Sequence, residues 1–251
     1  MWRTFFALIA LLSALPAGAV ESQPIALTYL EGDYAGTTTI WSEDGKRIVG
    51  FIAYSQHRKG ERLHIQRVAH FRDGSSDEDT AEVQVGDHLR AVGGRSIIRD
   101  TKGKPIVDLH IDVASKHLSG FYFDDGKRQE INENVEIGPA TYWGPMFNLV
   151  LKNFAANAAD GKVVVQSVVT TPKPRIIDME FQRDGNATVR RTGGSIKADR
   201  ITLLPTVNFL IDPILQRLVP KTEFLVAPGE PPSLARFAGP RNYAGQMIRL
   251  E

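Results

Sequence analysis

The stretch PIVDLHIDVASKHLSGFYFDDGKR, residues 105–128, decides the fold class. Val107, Leu109, Ile111 and Val113 alternate with Asp108, His110 and Asp112, and Leu118, Phe121 and Phe123 follow before Asp125-Gly126. Strict period-two alternation places apolar side chains on one face of an extended strand and polar ones on the other. Asp-Gly supplies two residues that tolerate positive φ, as a two-residue hairpin turn demands.

The same grammar extends in both directions. Asp-Gly recurs at Asp44-Gly45, Asp73-Gly74, Asp160-Gly161 and Asp184-Gly185. Lys46–Ser55 sets Ile48, Ile52 and Tyr54 against Val49, Phe51 and Ala53, and Arg62–Phe71 sets Leu63, Ile65, Ala69 and Phe71 against His64, Gln66 and His70. Residues 25–133 therefore read as an antiparallel meander of about eight strands. Further strands are expected at Lys162–Thr171, Arg175–Arg183, Ser195–Leu204, Thr222–Ala227, Ser233–Ala238 and Gln246–Leu250.

Between the two groups the period changes. Phe147, Val150, Leu151, Phe154 and Ala158 recur at three and four, with Asn148, Lys152 and Asn153 on the other side. This predicts an amphipathic helix over 145–159, with Pro145 in the first turn, where its missing N–H is no loss. Asp212-Pro213 reads as the start of a short helix over 213–219, and Pro220 as its stop. Strands with two apolar faces need cover on both sides, whereas alternating strands need it on one. Both kinds occur. The expected fold is mainly β (α+β): a strongly curled antiparallel meander, or half-barrel, with one amphipathic helix and one short helix, forming a single domain over 20–251. A membrane barrel built from the same strands would usually contain no internal helix.

At the N-terminus, Arg3 precedes the apolar run Phe5–Leu15, which is too short for the roughly 20 residues of a membrane-spanning helix. Pro16 and then Ala17-Gly18-Ala19 follow, the layout of an export signal cleaved after Ala19. Residues 1–19 are thus expected to be removed, and the remainder to reside in the periplasm. The chain has no cysteine, which excludes disulfides and cysteine-bound metal centres. Its formal net charge of +1 lacks the basic field that nucleic-acid binding requires.

No nucleophile elbow, P-loop or dinucleotide fingerprint is present. Asp108, His110 and Asp112 share one face of a strand, an arrangement that could bracket a metal or serve acid–base chemistry, but it also describes a solvated face. The solvated face is the preferred reading. The acidic run Asp77-Glu78-Asp79 reads as a solvated turn. No cofactor and no metal site is expected. The aromatic entry Tyr142-Trp143 and the helix beneath it are more informative, because a curled sheet seldom closes tightly on one helix. A cavity lined by Trp143, Phe147, Leu151, Phe154, Phe209 and Leu210 would take a lipid or another hydrophobic small molecule, with 213–219 as a lid or as plain core.

The signal segment, the meander, the single amphipathic helix and the strand Thr222-Glu223-Phe224-Leu225-Val226 together resemble exported bacterial half-barrel proteins. These comprise the periplasmic carriers of outer-membrane lipoproteins and an uncharacterised exported family grouped near them. Leu234-Ala235-Arg236-Phe237-Ala238-Gly239-Pro240 is similar to the last strands of the second group. The carriers use an arginine inside the barrel that matches no position here, so the resemblance implies fold, compartment and a tendency to bind apolar ligands, but no activity. The leading expectation is a periplasmic, non-enzymatic binding or carrier protein for a lipid-like ligand. The alternatives are an envelope enzyme acting on lipid or glycan through Asp108, His110 and Asp112, and a scaffold for an envelope protein partner.

Overall fold

The computed structural model describes residues 21–157, 161–170, 173–191, 194–206, 221–242 and 245–250. The expected signal segment, the short helix at 213–219, and Phe209 and Leu210 lie outside the described residues. The expected meander is present. Its first half consists of β1 (Tyr34–Ser42), β2 (Ile48–Lys59), β3 (Arg62–Phe71), β4 (Ser76–Val85), β5 (Leu89–Arg99), β6 (Pro105–Asp112), β7 (His117–Asp124) and β8 (Lys127–Asn134). The chain then passes through β9 (Thr141–Tyr142), a 3-10 turn at Gly144–Met146 and helix α1 (Phe147–Asn157). It returns through β10 (Lys162–Val169), β11 (Arg175–Arg191), β12 (Gly194–Pro205), β13 (Thr222–Ala227), β14 (Ser233–Pro240) and β15 (Met247–Leu250).

All of these strands form one open sheet in the order β8-β7-β6-β5-β4-β3-β2-β1-β15-β14-β13-β12-β11-β10-β9. Neighbours are antiparallel apart from the short β9, which runs parallel to β10. The two meanders meet where β1 pairs with β15, through Ile40↔Leu250 and Ser42↔Ile248. At one edge, β8 presents Lys127, Arg128, Glu130, Asn132, Glu133 and Asn134 to solvent, and such charge discourages pairing with another chain.

Asp44-Gly45, Asp73-Gly74 and Asp125-Gly126 all lie where the chain reverses between strands, but among the described Asp-Gly pairs only the last has positive φ at both residues. Asp125 and Gly126 both have positive φ, 47° and 74°, in the tight turn between β7 and β8. Asp184-Gly185, by contrast, does not end a strand. β11 continues through it with a register shift between Arg183 and Asn186, so this Asp-Gly forms a bulge.

Open sheets of more than about ten strands curl or split, because every strand adds right-handed twist. The curl here is measurable. β4 and β14 are separated by five strand steps, about 24 Å in a flat sheet. Nevertheless Arg241, directly after β14, donates from Nε and Nη2 to both carboxylate oxygens of Asp77 on β4, at 2.9 and 2.6 Å. The concave face so formed carries the main core, with Leu63, Ile65, Leu109, Leu118 and Phe181 all fully buried. α1 lies on this face, its Phe154 packed against Phe181 at 5.5 Å between ring centroids.

The helix also has a second cover. Residues 21–32 cross over it as a strap: Gln23 N–H donates to the Val164 carbonyl, Leu27 N–H to that of Asp87, and Gln56 holds the Glu31 and Gly32 carbonyls. Asn153 Oδ1 accepts from the Thr28 and Tyr29 amides, both at 2.7 Å, and its Nδ2 donates to the Tyr29 carbonyl. Lys152 pairs with Glu31 at 2.7 Å. The polar side of the helix, which amphipathic spacing assigns to water, is therefore buried under the strap at Lys152 and Asn153.

The Arg241–Asp77 pair gives a test of the curl. Arg241→Met leaves Asp77 buried without its cation and is expected to cost about 3–5 kcal/mol in urea unfolding. Arg241→Met combined with Asp77→Leu should recover most of that loss.

Candidate functional site: an apolar cleft with a charged end

Between the concave face and the first turns of α1 lies a cleft with a volume of about 420 Å³. Trp143, Phe147 and Leu151 line one wall, and Ile52, Met179, Leu203, Phe224 and Phe237 line the facing sheet. Of the residues that the sequence nominates for ligand contact, Trp143, Phe147 and Leu151 are thus brought together. Phe154 sits behind them in the packed core and does not border the cleft.

Local sequence explains how Trp143 is placed. It has an extended backbone (φ −151°, ψ 162°), and the 3-10 turn Gly144–Met146, with Pro145 as its second residue, follows immediately. Its indole Nε1–H donates to the Thr80 carbonyl at 3.0 Å. Beneath the ring is Gly94, where an added Cβ would stand 2.8 Å from Trp143 Cζ2 and 2.2 Å from the Thr80 carbonyl oxygen. The glycine pair at 93–94 is therefore more than a bend in β5. Its second member makes room for the indole.

One end of the cleft is charged, and sequence patterning misassigns it. Asp77 and Asp79 belong to no solvated turn. They alternate with Glu78 along β4 and point inward with Ala81 and Val83, each buried. Asp79 receives Nε–H and Nη2–H of Arg67 and, at 2.6 Å, the Ser96 hydroxyl. Arg241, besides its two bonds to Asp77, donates Nη1–H to Ser75 Oγ at 2.9 Å and lies 3.6 Å from the centroid of the Phe71 ring. Burial works to lower the Arg67 guanidinium pKa, and the Asp79 carboxylate more than offsets this, leaving it above the usual value. On the cleft wall the Tyr54 phenol is pushed up by burial, so it stays neutral. The available signal was parity. Asp77 and Asp79 fall in step with Ala81 and Val83, and Arg67 in step with Leu63, Ile65 and Ala69.

The Asp108, His110 and Asp112 trio lies on the opposite, convex face, out of phase with buried Val107, Leu109 and Ile111. Arg95 clamps Asp108 with bonds of 2.8 and 2.7 Å, and Asp112 accepts the Ser115 amide of the following turn. His110 Nε2 is 3.6 Å from Asp108 and exposed. Among the described residues no group of three or more acidic or histidine side chains has metal-binding geometry. Among the described residues no helix is long and apolar enough to cross a membrane. Comparison with family models, with curated proteins and with solved structures finds no match to this chain.

Two outcomes follow for these residues. Gly94→Ala should destabilise by roughly 1–3 kcal/mol through overpacking, with the near-ultraviolet circular dichroism of Trp143 altered. Hydrogen bonds from Arg95 hold the Asp108 carboxyl below its ordinary value. A depressed carboxyl stabilises the fold above its unfolded pKa, and the gain disappears as pH falls through the folded value. Asp108→Asn is therefore expected to cost about 0.5 kcal/mol near neutrality and nothing in strong acid, as read by denaturant midpoints.

Proposed function

We propose that this chain is a non-enzymatic periplasmic carrier that holds one hydrophobic, lipid-like molecule in the cleft between its curled sheet and α1. The observation that carries the reading is the cleft itself, an opening of about 420 Å³ on the concave face whose lining is mostly apolar away from its charged end. Interiors are normally packed to the density of organic crystals, so a gap of this size lined by Phe, Leu, Met and Trp favours an apolar guest over water. Its volume falls within the roughly 300–1,000 Å³ of small-molecule sites. Burial of an acyl chain there is favourable at about 25 cal/mol per Å² of apolar surface removed from water.

The export-signal pattern of residues 1–19 supports the compartment, and a carrier is what an aqueous compartment between two membranes requires for such a guest. The Asp108, His110 and Asp112 alternative gains no support from the geometry, since two of the three side chains are committed to an ion pair and a turn on the far side of the sheet.

Trp143 reports on the cleft directly. Trp41 is on β1 out of phase with buried Ile40 and Ser42, so it faces away from the concave core. In a chain carrying Trp2→Phe and Trp41→Phe, a fatty acyl chain brominated along its length should quench Trp143 fluorescence in a saturable manner. Val169→Phe, at the half-buried end of β10 on the cleft wall, should weaken that binding about tenfold, or ~1.4 kcal/mol. Absence of saturable quenching would overturn the proposal.

A further inference from the structure

The charged end of the cleft restricts what the apolar part can hold. It contains two arginines and two carboxylates, each arginine paired with one carboxylate. Arg241 is fully engaged: both oxygens of Asp77, the Ser75 hydroxyl and the face of Phe71 occupy its guanidinium. Arg67 is engaged differently. Its Nε and Nη2 both point to a single oxygen of Asp79, whose other oxygen takes Ser96. Nη1 of Arg67 has no hydrogen bond to any described residue, and the side chain borders the cleft with 30% of its surface exposed. A third arginine, Arg236, also borders the cleft, but it pairs in register with Leu225, whose side chain belongs to a separate cluster, and it has partners of its own.

Among the described residues, Arg67 Nη1 is thus a donor at the cleft without a hydrogen-bond partner, its charge already balanced by the adjacent Asp79 carboxylate, with a second carboxylate two residues along the same strand. An anionic head brought to Arg67 would lie beside Asp79 and Asp77 in a partly desolvated site, where like charges repel strongly. A neutral carbonyl accepts the same hydrogen bond without that repulsion. The cleft volume, near the lower end of the ~300–1,000 Å³ range for such sites, suits a single acyl chain.

We infer that the cleft selects an uncharged single-chain acyl ester, a monoacylglycerol-type lipid whose ester carbonyl accepts from Arg67 Nη1, over the corresponding free fatty-acid anion. This rests on the carrier reading above and adds the class of head group. Asp79 acts as the discriminator. It holds Arg67 in place and cancels the charge that would otherwise attract a carboxylate.

The test is competition against the brominated acyl probe, read by recovery of Trp143 fluorescence, with 1-monooleoylglycerol and oleate compared at neutral pH below their aggregation concentrations. The ester should displace the probe at least about tenfold more effectively, a difference of ~1.4 kcal/mol. Asp79→Asn should shrink or invert that ratio by leaving Arg67 uncompensated, and Arg67→Gln together with Asp79→Asn should abolish the preference. Oleate binding as tightly as the ester, or a ratio unchanged by Asp79→Asn, overturns the inference and leaves the carrier intact. If neither lipid displaces the probe and the probe itself does not bind, the carrier reading fails as well. Should Asp79→Asn not fold, the ratio measured on the unaltered chain decides alone.

Discussion

Arg241 and Asp77 hold together two strands that a flat sheet would keep some five strand spacings apart. Their bond is the point at which the curvature of the sheet is fixed by chemistry as well as by accumulated twist. Both partners are largely removed from water, with side-chain exposures of 16% and 7%, so the pair carries a desolvation cost that only tight geometry offsets. Two parallel N–H···O bonds, a third to Ser75 and the stacked Phe71 ring provide that geometry. With the sheet bent in this way, the apolar sides of β3 to β7 and of β10 to β13 face one another, and α1 fills most of the space between them.

The helix fits that space because each of its sides finds a different solution. Leu149, Val150, Leu151 and Phe154 are buried in the apolar core. Asn153 satisfies the backbone of the strap, doing for residues 28 and 29 what a neighbouring strand would otherwise do. Lys152 finds Glu31. What the helix does not fill is the cleft. That gap opens where the chain enters the helix through Gly144 and Pro145, and where Gly144, with φ of +34°, passes too close to Asp79 for a side chain to be accommodated easily. Apolar space and balanced charge are therefore joined at one place by the entry to a single helix.

Much of the architecture was legible in the residues. Alternation located the strands of β2, β3, β6 and β7, the three-and-four spacing located α1 with Phe147 and Leu151 on the cleft wall, and Trp143 was marked by the aromatic entry that precedes the helix. The charged end was not legible for a physical reason. Whether Asp77 and Asp79 are solvated or buried depends on cations supplied from elsewhere, and Arg241 lies 164 residues away from Asp77. A run of three acidic residues read locally is a surface feature; strand alternation turns Asp77 and Asp79 to the concave face, and the curl brings Arg241 to Asp77. The buried polar side of α1 is a similar case. The strap that covers it has no periodicity of its own, since its hydrogen bonds are divided between the side chains of Asn153 and Tyr142 and isolated backbone carbonyls of Val164 and Asp87 and form no continuous ladder. Asp184-Gly185 shows the limit of turn chemistry, because the same dipeptide that reverses the chain at residues 125–126 only bends it at residue 185.

The seam between β1 and β15 has a consequence for the order in which the molecule assembles. Nearly every other strand pairs with its neighbour in sequence, so each meander is built from short-range closures that form early. Joining Ile40 to Leu250 and Ser42 to Ile248 instead closes a loop spanning most of the chain, which cannot happen until the last strand is available. The cleft straddles that seam, with Ile52 on one side and Phe237 and Ile248 on the other. A half-made molecule therefore has sheet and helix but no cleft. The cleft is thus a product of the longest-range closure in the sheet, and its two walls come together only when β15 reaches β1.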